Sequence, residues 1–196
     1  MGNFSGKVAL VAFMSMLFAG SVPVAFGESS GLLMPACAKA DKSSRVSDWF
    51  QRYDQIRHEA QMSEVERERS RSLMTNSLAA SFLQSPSGAQ DKAAASALLR
   101  KMVDRYHRAV AQISDLPAIP ETKRLQQGYT QYFRNAGDLF GDYLKVQNSL
   151  LATDASGNPI LGQLQQRKSD LENLDVANKD LDAKLRSKFK VAPYAF

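Results

Sequence analysis

The chain contains two histidines, His58 and His107, and each has a carboxylate about one helical turn before it. Asp54 precedes His58 by four residues, and Asp104 precedes His107 by three. On a helix, both spacings place imidazole and carboxylate on one face, where they can ligate a metal or relay a proton. Di-iron bundles use Glu-x-x-His pairs on two helices together with further inward glutamates. Here the three-residue spacing occurs once, with aspartate, and no further carboxylates fall on apolar faces. The pairs therefore do not add up to a metal centre. Cys37 is the single cysteine, so a disulfide within the chain and a Cys-x-x-Cys-His haem attachment are both excluded. A glycine-rich phosphate loop, Gly-x-Ser-x-Gly and His-Glu-x-x-His are also missing. The expectation is a protein that is not an enzyme, with no catalytic residue, no metal ligands and no cofactor.

Tyr129, Tyr132 and Tyr143 are the remaining candidates, because they fall on one stripe and could line a ligand pocket. The stripe belongs to residues 120–151, around which the rest of the chain is organised. Leu125, Tyr132, Leu139 and Val146 recur every seven residues, and Tyr129, Ala136, Tyr143 and Leu150 follow four behind. Phe133 and Phe140 widen the face. One side of a long helix is thus apolar and aromatic and must be covered by other helices. Core packing is the expected role of the tyrosines, with hydroxyls at the bundle edge or on a buried partner. Pro120 falls where a first-turn proline belongs, and Glu121 complements the positive helix start.

Three further helices are expected around this one. The first is capped by Ser43 or Ser44, sets Trp49, Phe50, Tyr53, Ile56 and Ala60 on its apolar face, and resumes with Leu73, Met74, Leu78 and Leu83. Between these runs, Glu64–Arg67, Glu66–Arg69 and Glu68–Arg71 are each three apart. They read as a solvated, self-paired stretch, each pair contributing about 0.2–0.5 kcal/mol. Ser85-Pro86-Ser87-Gly88 marks a break. Asp91 then opens an alanine-rich helix with Leu98, Leu99, Met102, Val103, Tyr106, Val110 and Ile113 buried, and Lys101, Arg105 and Arg108 outside. Asp115 to Pro120 is a stiff connector, since two prolines cannot continue a helix. After the central helix, Ala155 to Pro159 make a turn.

The last helix runs from Ile160 to Lys190 on a seam of Ile160, Leu164, Leu171, Leu174, Leu181 and Leu185. Asn178 interrupts that seam, where one polar residue can fix register at some loss of stability. Lys184, Arg186, Lys188 and Lys190 complement the dipole at its C-terminal end. No strand signal occurs. The expected fold is all-α, an elongated antiparallel up-down four-helix bundle with coiled-coil-like packing over residues 43–196.

Residues 1–27 read as a secretory signal. Lys7 and the amino terminus supply charge, Val8 to Phe18 the apolar core, and Ala25-Phe26-Gly27 a small-x-small cleavage site. Ala38-Lys39-Ala40 is a later cleavage candidate, and residues 28–42 form a linker. Val8 to Phe26 is uncharged and about long enough to span a bilayer, so an uncleaved anchor is the alternative. Leu33-Met34-Pro35-Ala36-Cys37 resembles a bacterial lipoprotein box, which implies lipidation of Cys37 as another route to the membrane. If cleavage falls after Ala40, the mature chain has no cysteine, which suits an oxidising compartment.

The formal net charge is +5 and spread thinly, which is too dilute to indicate nucleic acid. The expected function is that of an exported, non-enzymatic binding, scaffold or chaperone-like component of the cell envelope. Its partner would be a protein, with a second copy of the chain among the candidates. The alternative is a helical-bundle carrier of a small ligand or metal, with enzymatic use open to it. At the C-terminus, Pro193 ends the last helix and leaves the final residues free and extended. The ending Tyr194-Ala195-Phe196 resembles the terminal signature of outer-membrane barrel proteins that periplasmic PDZ domains recognise. The preferred expectation is that Tyr194 and Phe196 fold back over the end of the bundle.

Overall fold

A computed structural model describes residues 36–66, 68, 69, 72 and 86–194. The signal segment 1–27, the apolar run from Leu73 to Leu83 and Phe196 lie outside the described residues. Four helices pack against one another: α1 (Ala36–Ala60), α2 (Pro86–Ser114), α3 (Lys123–Asn148) and α4 (Ile160–Phe189). No strand occurs among the described residues. The helix α3 is central, packing most extensively on α2 and then on α4, while α1 lies across α2 and touches α4.

The α3 stripe is buried as its spacing requires: Leu125, Tyr129, Phe133, Ala136, Leu139, Phe140, Tyr143 and Val146 all enter the core. Each Leu, Phe or Val among them contributes about 1.5–3 kcal/mol on burial. Tyr132 is half-buried at the edge of that core. Leu150 departs from the pattern. The helix stops at Asn148, Ser149 turns extended with its N–H on the Lys145 carbonyl at 2.9 Å, and Leu150 faces solvent. Pro120 and Glu121 lie in the turn before α3, and the Thr122 carbonyl accepts the first helical bond, from Gln126 N–H at 2.9 Å. From the neighbouring helices, Trp49, Phe50, Tyr53, Ile56 and Ala60 of α1, and Leu99, Met102, Tyr106 and Ile113 of α2, complete the core. Leu116 and Ile119 of the proline connector are buried with them.

Two helix starts come earlier than expected. Ser43 and Ser44 lie exposed inside α1 instead of capping it, and Asp91 lies inside α2, which opens at Pro86 as a first-turn proline can. The expected single helix through residues 43–83 is broken at 61–63. Ser63 then caps a new helical stretch. Its Oγ accepts from Glu66 N–H and Glu66 Oε2 accepts from Ser63 N–H, both at 3.1 Å, a reciprocal capping box. The same Glu66 carboxylate also accepts from Lys101 at 2.7 Å and Arg105 at 2.9 Å. The Arg105 guanidinium donates in addition to the Gln61 carbonyl at 2.7 Å, satisfying a group freed by the break. Glu66 therefore fastens this stretch to α2 and is not paired along its own helix to Arg69, and Arg105 is not a solvated outer residue.

The turn from α3 to α4 is tied by one carboxylate. Asp154 accepts from the Ser156 and Asn158 N–H groups at 2.9 Å and from Gln163 Nε2 at 2.8 Å, and Gly157 takes the left-handed φ of 82°. These bonds hold its carboxyl down at about 2. Pro159 then precedes α4 directly.

Candidate functional site

A network of buried charges lies where α1 meets the C-terminal half of α4. Along α4 the buried ridge runs Ile160, Leu164, Lys168, Leu171, Asn178, Asp182 and Arg186. It begins apolar and ends ionic. Leu174, Leu181 and Leu185, expected as the seam, are half-buried flanks. Asn178 does sit in the interface. It packs on Gly128 of α3, where a β-carbon would come within 3.0 Å of Asn178 Cγ.

Asp182 holds two arginines from different helices. Its Oδ2 accepts from Arg57 Nη1 at 2.8 Å, and its Oδ1 accepts from Arg186 Nε at 2.7 Å. Arg186 goes on to pair with Asp54 of α1, with Nη1 on Oδ2 at 3.1 Å and Nη2 on Oδ1. Arg57, Asp182 and Arg186 are each at most 5% exposed, so the charges are desolvated and depend on each other. Burial works against the Arg57 charge. The surrounding Tyr53, Tyr129 and Asp182 more than offset it, and the guanidinium is held above its ordinary value. Burial likewise opposes the Arg186 charge, and the bonds to Asp54 and Asp182 outweigh it.

Aromatic faces surround both cations. The Arg57 guanidinium lies 5.2 Å from the Tyr53 ring, 4.8 Å from Tyr129 and 4.2 Å from Tyr194, and Arg186 lies 4.4 Å from Phe50. Tyr53 stacks on Trp49 at 4.9 Å and meets Tyr129 edge-on at 5.3 Å. The Tyr53 and Tyr129 hydroxyls are adjacent and fully buried, yet neither makes a hydrogen bond of good geometry. The same holds for the buried amide nitrogen of Asn178. Burial and the neighbouring Tyr129 push the Tyr53 hydroxyl well above its ordinary value, and burial pushes Tyr129 up to about 12. Both phenols are neutral donors.

The two histidine pairs come out differently. Asp54 is drawn into the arginine network, while His58 on the same helix is exposed. Asp104 and His107 are both exposed on α2, and His107 rests beside Gly137 of α3. Among the described residues, no group of three or more His, Cys, Asp or Glu side chains is placed to hold a metal ion. Tyr129 and Tyr143 pack in the core, and Tyr132 packs at its edge. An open polar groove of about 380 Å³ lies elsewhere, lined by Ser114, Gln126, Gln127, Thr130, Gln131 and Arg134.

Reading the sequence alone overlooks Arg57 and Asp182 and assigns Arg186 to the helix dipole. The available signal was the spacing Asn178, Asp182, Arg186, which keeps to the helical period of Ile160, Leu164, Lys168 and Leu171. Of the two expectations for the C-terminal residues, Tyr194 follows the fold-back. Instead of extending freely, Tyr194 folds back against Arg57, the Ala192 carbonyl accepts from Arg186 Nη1 at 2.8 Å, and the Tyr194 hydroxyl reaches Gln61 Oε1 at 3.5 Å.

Comparison with protein-family models, with curated proteins and with solved structures finds no match to this chain. Among the described residues, no helix is long and apolar enough to cross a membrane.

Proposed function

We propose that the chain is an exported, non-enzymatic binding, scaffold or chaperone-like component of the cell envelope, built as an antiparallel up-down bundle with coiled-coil-like packing. Contacts at both ends of α2 and α3 support the topology. Gln126 at the start of α3 donates to the Ile113 and Leu116 carbonyls at the end of α2, at 2.8 and 3.2 Å. Gln147 at the end of α3 donates to the Lys92 carbonyl at 3.3 Å and accepts from Ser96 at 3.0 Å, near the start of α2. The heptad residues of α3 and the Gly128–Asn178 approach support the close packing.

One observation carries the functional reading. The buried charges Arg57, Asp182 and Arg186 are engaged with one another and with Asp54, and join two helices. They act as an internal fastener. Residues 1–27, with Lys7, the apolar run and Ala25 to Gly27, carry the export part. The test is affinity capture from the native envelope, with the intact mass of the recovered chain. A mass lacking residues 1–27 and a reproducible protein partner are expected. A mass retaining residues 1–27 would overturn export with cleavage, and acyl mass on Cys37 would move the reading to a lipoprotein.

The carrier alternative draws on the buried Tyr53 and Tyr129 hydroxyls and the Asn178 amide nitrogen, which make no hydrogen bond of good geometry. Metal analysis and native mass spectrometry of purified protein decide it, since a stoichiometric metal or small molecule would replace the scaffold reading.

A further inference from the structure

The helix α4 ends at Lys190, whose left-handed φ of 56° reverses the chain. Val191 N–H returns to the Arg186 carbonyl at 2.9 Å, and the Val191 side chain is half-buried against the core. Beyond it, residues 192–194 run across the arginine network. Ala192 and Pro193 are exposed, and Tyr194 is half-buried. This segment meets the two arginines through a carbonyl and a ring. The Ala192 carbonyl takes Arg186 Nη1, and the Tyr194 ring covers the Arg57 guanidinium at 4.2 Å.

The two sides of this contact are unequally built. On the protein side, Asp182 fixes both arginines from beneath, Asp54 fixes Arg186 from the flank, and Tyr53, Tyr129 and Phe50 close the apolar walls. Such a surface is set before anything lies on it, so little ordering is needed on binding. On the other side is a short segment with one carbonyl and one aromatic ring at the surface. One guanidinium reads a backbone carbonyl by a charge-assisted hydrogen bond, and the other reads an aromatic ring by cation–π attraction.

We infer that Arg57 and Arg186 form a peptide-recognition seat for an extended segment presenting a tyrosine ring two residues after a backbone carbonyl. The chain's own residues 192–194 occupy it in cis. The tail is therefore a self-bound ligand, and a partner segment of the same chemistry binds only by displacing it. Tethering gives the tail an effective concentration on the order of millimolar, so the intact chain resists competition. This names a ligand class for the binding reading above, but its test uses purified protein and stands whether or not the chain is exported.

The experiment titrates a pentapeptide of residues 190–194, acetylated and amidated, onto the full chain and onto its Tyr194→Ala variant, followed by NMR shifts of the Arg57 and Arg186 side chains. The variant is expected to bind saturably, at least about tenfold more tightly than wild type, because the competing ring is gone. A peptide with alanine in place of its tyrosine should not bind. Tyr194→Leu, which keeps an apolar cover over Arg57, is read in the same way and guards against misfolding of the alanine variant. Equal affinity of wild type and variants, or no binding to a folded variant, would overturn the seat. Binding indifferent to the peptide's tyrosine would overturn the assigned ligand class.

Discussion

Gly128 of α3 faces Asn178 of α4 with no room for a side chain between them. A β-carbon on residue 128 would come within 3.0 Å of Asn178 Cγ and still closer to its Oδ1. Glycine is otherwise a poor choice here, since alanine favours a helix interior by about 1 kcal/mol. The close approach outweighs that preference. Gly128→Ala is expected to destabilise by about 1–3 kcal/mol through overpacking, despite its better propensity. Asn178→Ala in the same chain should recover most of the loss, because it removes the obstructing amide. Chemical denaturation of both single variants and the double variant measures the coupling. Additive losses would mean that the two residues do not define this interface.

How much of this was legible in the sequence differs between α3 and α4. The α3 stripe could be read directly because its buried residues are apolar at regular helical spacing, and only Leu150, past the helix end, misled. The α4 ridge changes chemistry partway. Asp182 and Arg186 look like surface charges until an arginine and an aspartate arrive from α1, and a partner more than a hundred residues away leaves no local mark. Leu181 and Leu185, one step around the helix, drew attention to the flank. The break at 61–63 was locally encoded, since Ser63 and Glu66 have capping-box spacing. The acid–base pattern of residues 64–71 suggests an unbroken, self-paired helix, whereas Glu66 binds Lys101 and Arg105 of α2.

Asp182 anchors both buried arginines, so its loss leaves two cations short of a partner. Asp182→Ala is expected to cost about 3–5 kcal/mol, the range for removing one member of a buried pair. Asp54→Ala should cost less. Asp54 engages Arg186 alone, and its side chain is 28% exposed, so water can take its place. Equilibrium denaturation ranks the two variants. A larger loss at Asp54 would place the centre of the network on α1 and not at Asp182.

Leu139 lies at the middle of α3 and is 2% exposed, whereas Arg69 is exposed. Leu139→Ala is expected to lose about 2–5 kcal/mol through lost burial and the cavity left behind. Arg69→Ala should stay within about 0.5 kcal/mol of wild type. Denaturant midpoints of the two variants check the contrast, and equal effects would show that the core is not centred on α3.

Glu66 gives the molecule an acid limb whose sign can be worked out. Hydrogen bonds from Arg105 and Lys101, with the Ser63 N–H, hold its carboxyl down from an ordinary 4.5 to about 2. The folded state thus prefers the ionised form more strongly than the unfolded chain does. Its contribution to stability is complete above about pH 4.5, and it disappears as the pH falls towards about 2. The side chain is 25% exposed, so solvent screening keeps that contribution to about 1 kcal/mol. Glu66→Gln keeps the size and one acceptor but removes the charge. At neutral pH the variant should be less stable by about that amount. The difference from wild type should shrink through the acid window, since protonation does to wild type what the substitution has already done. Urea denaturation of both proteins at neutral pH and at about pH 3 gives the comparison. A gap that is unchanged or wider at low pH would show that Glu66 contributes to stability through packing or capping alone, without a gain from its charge.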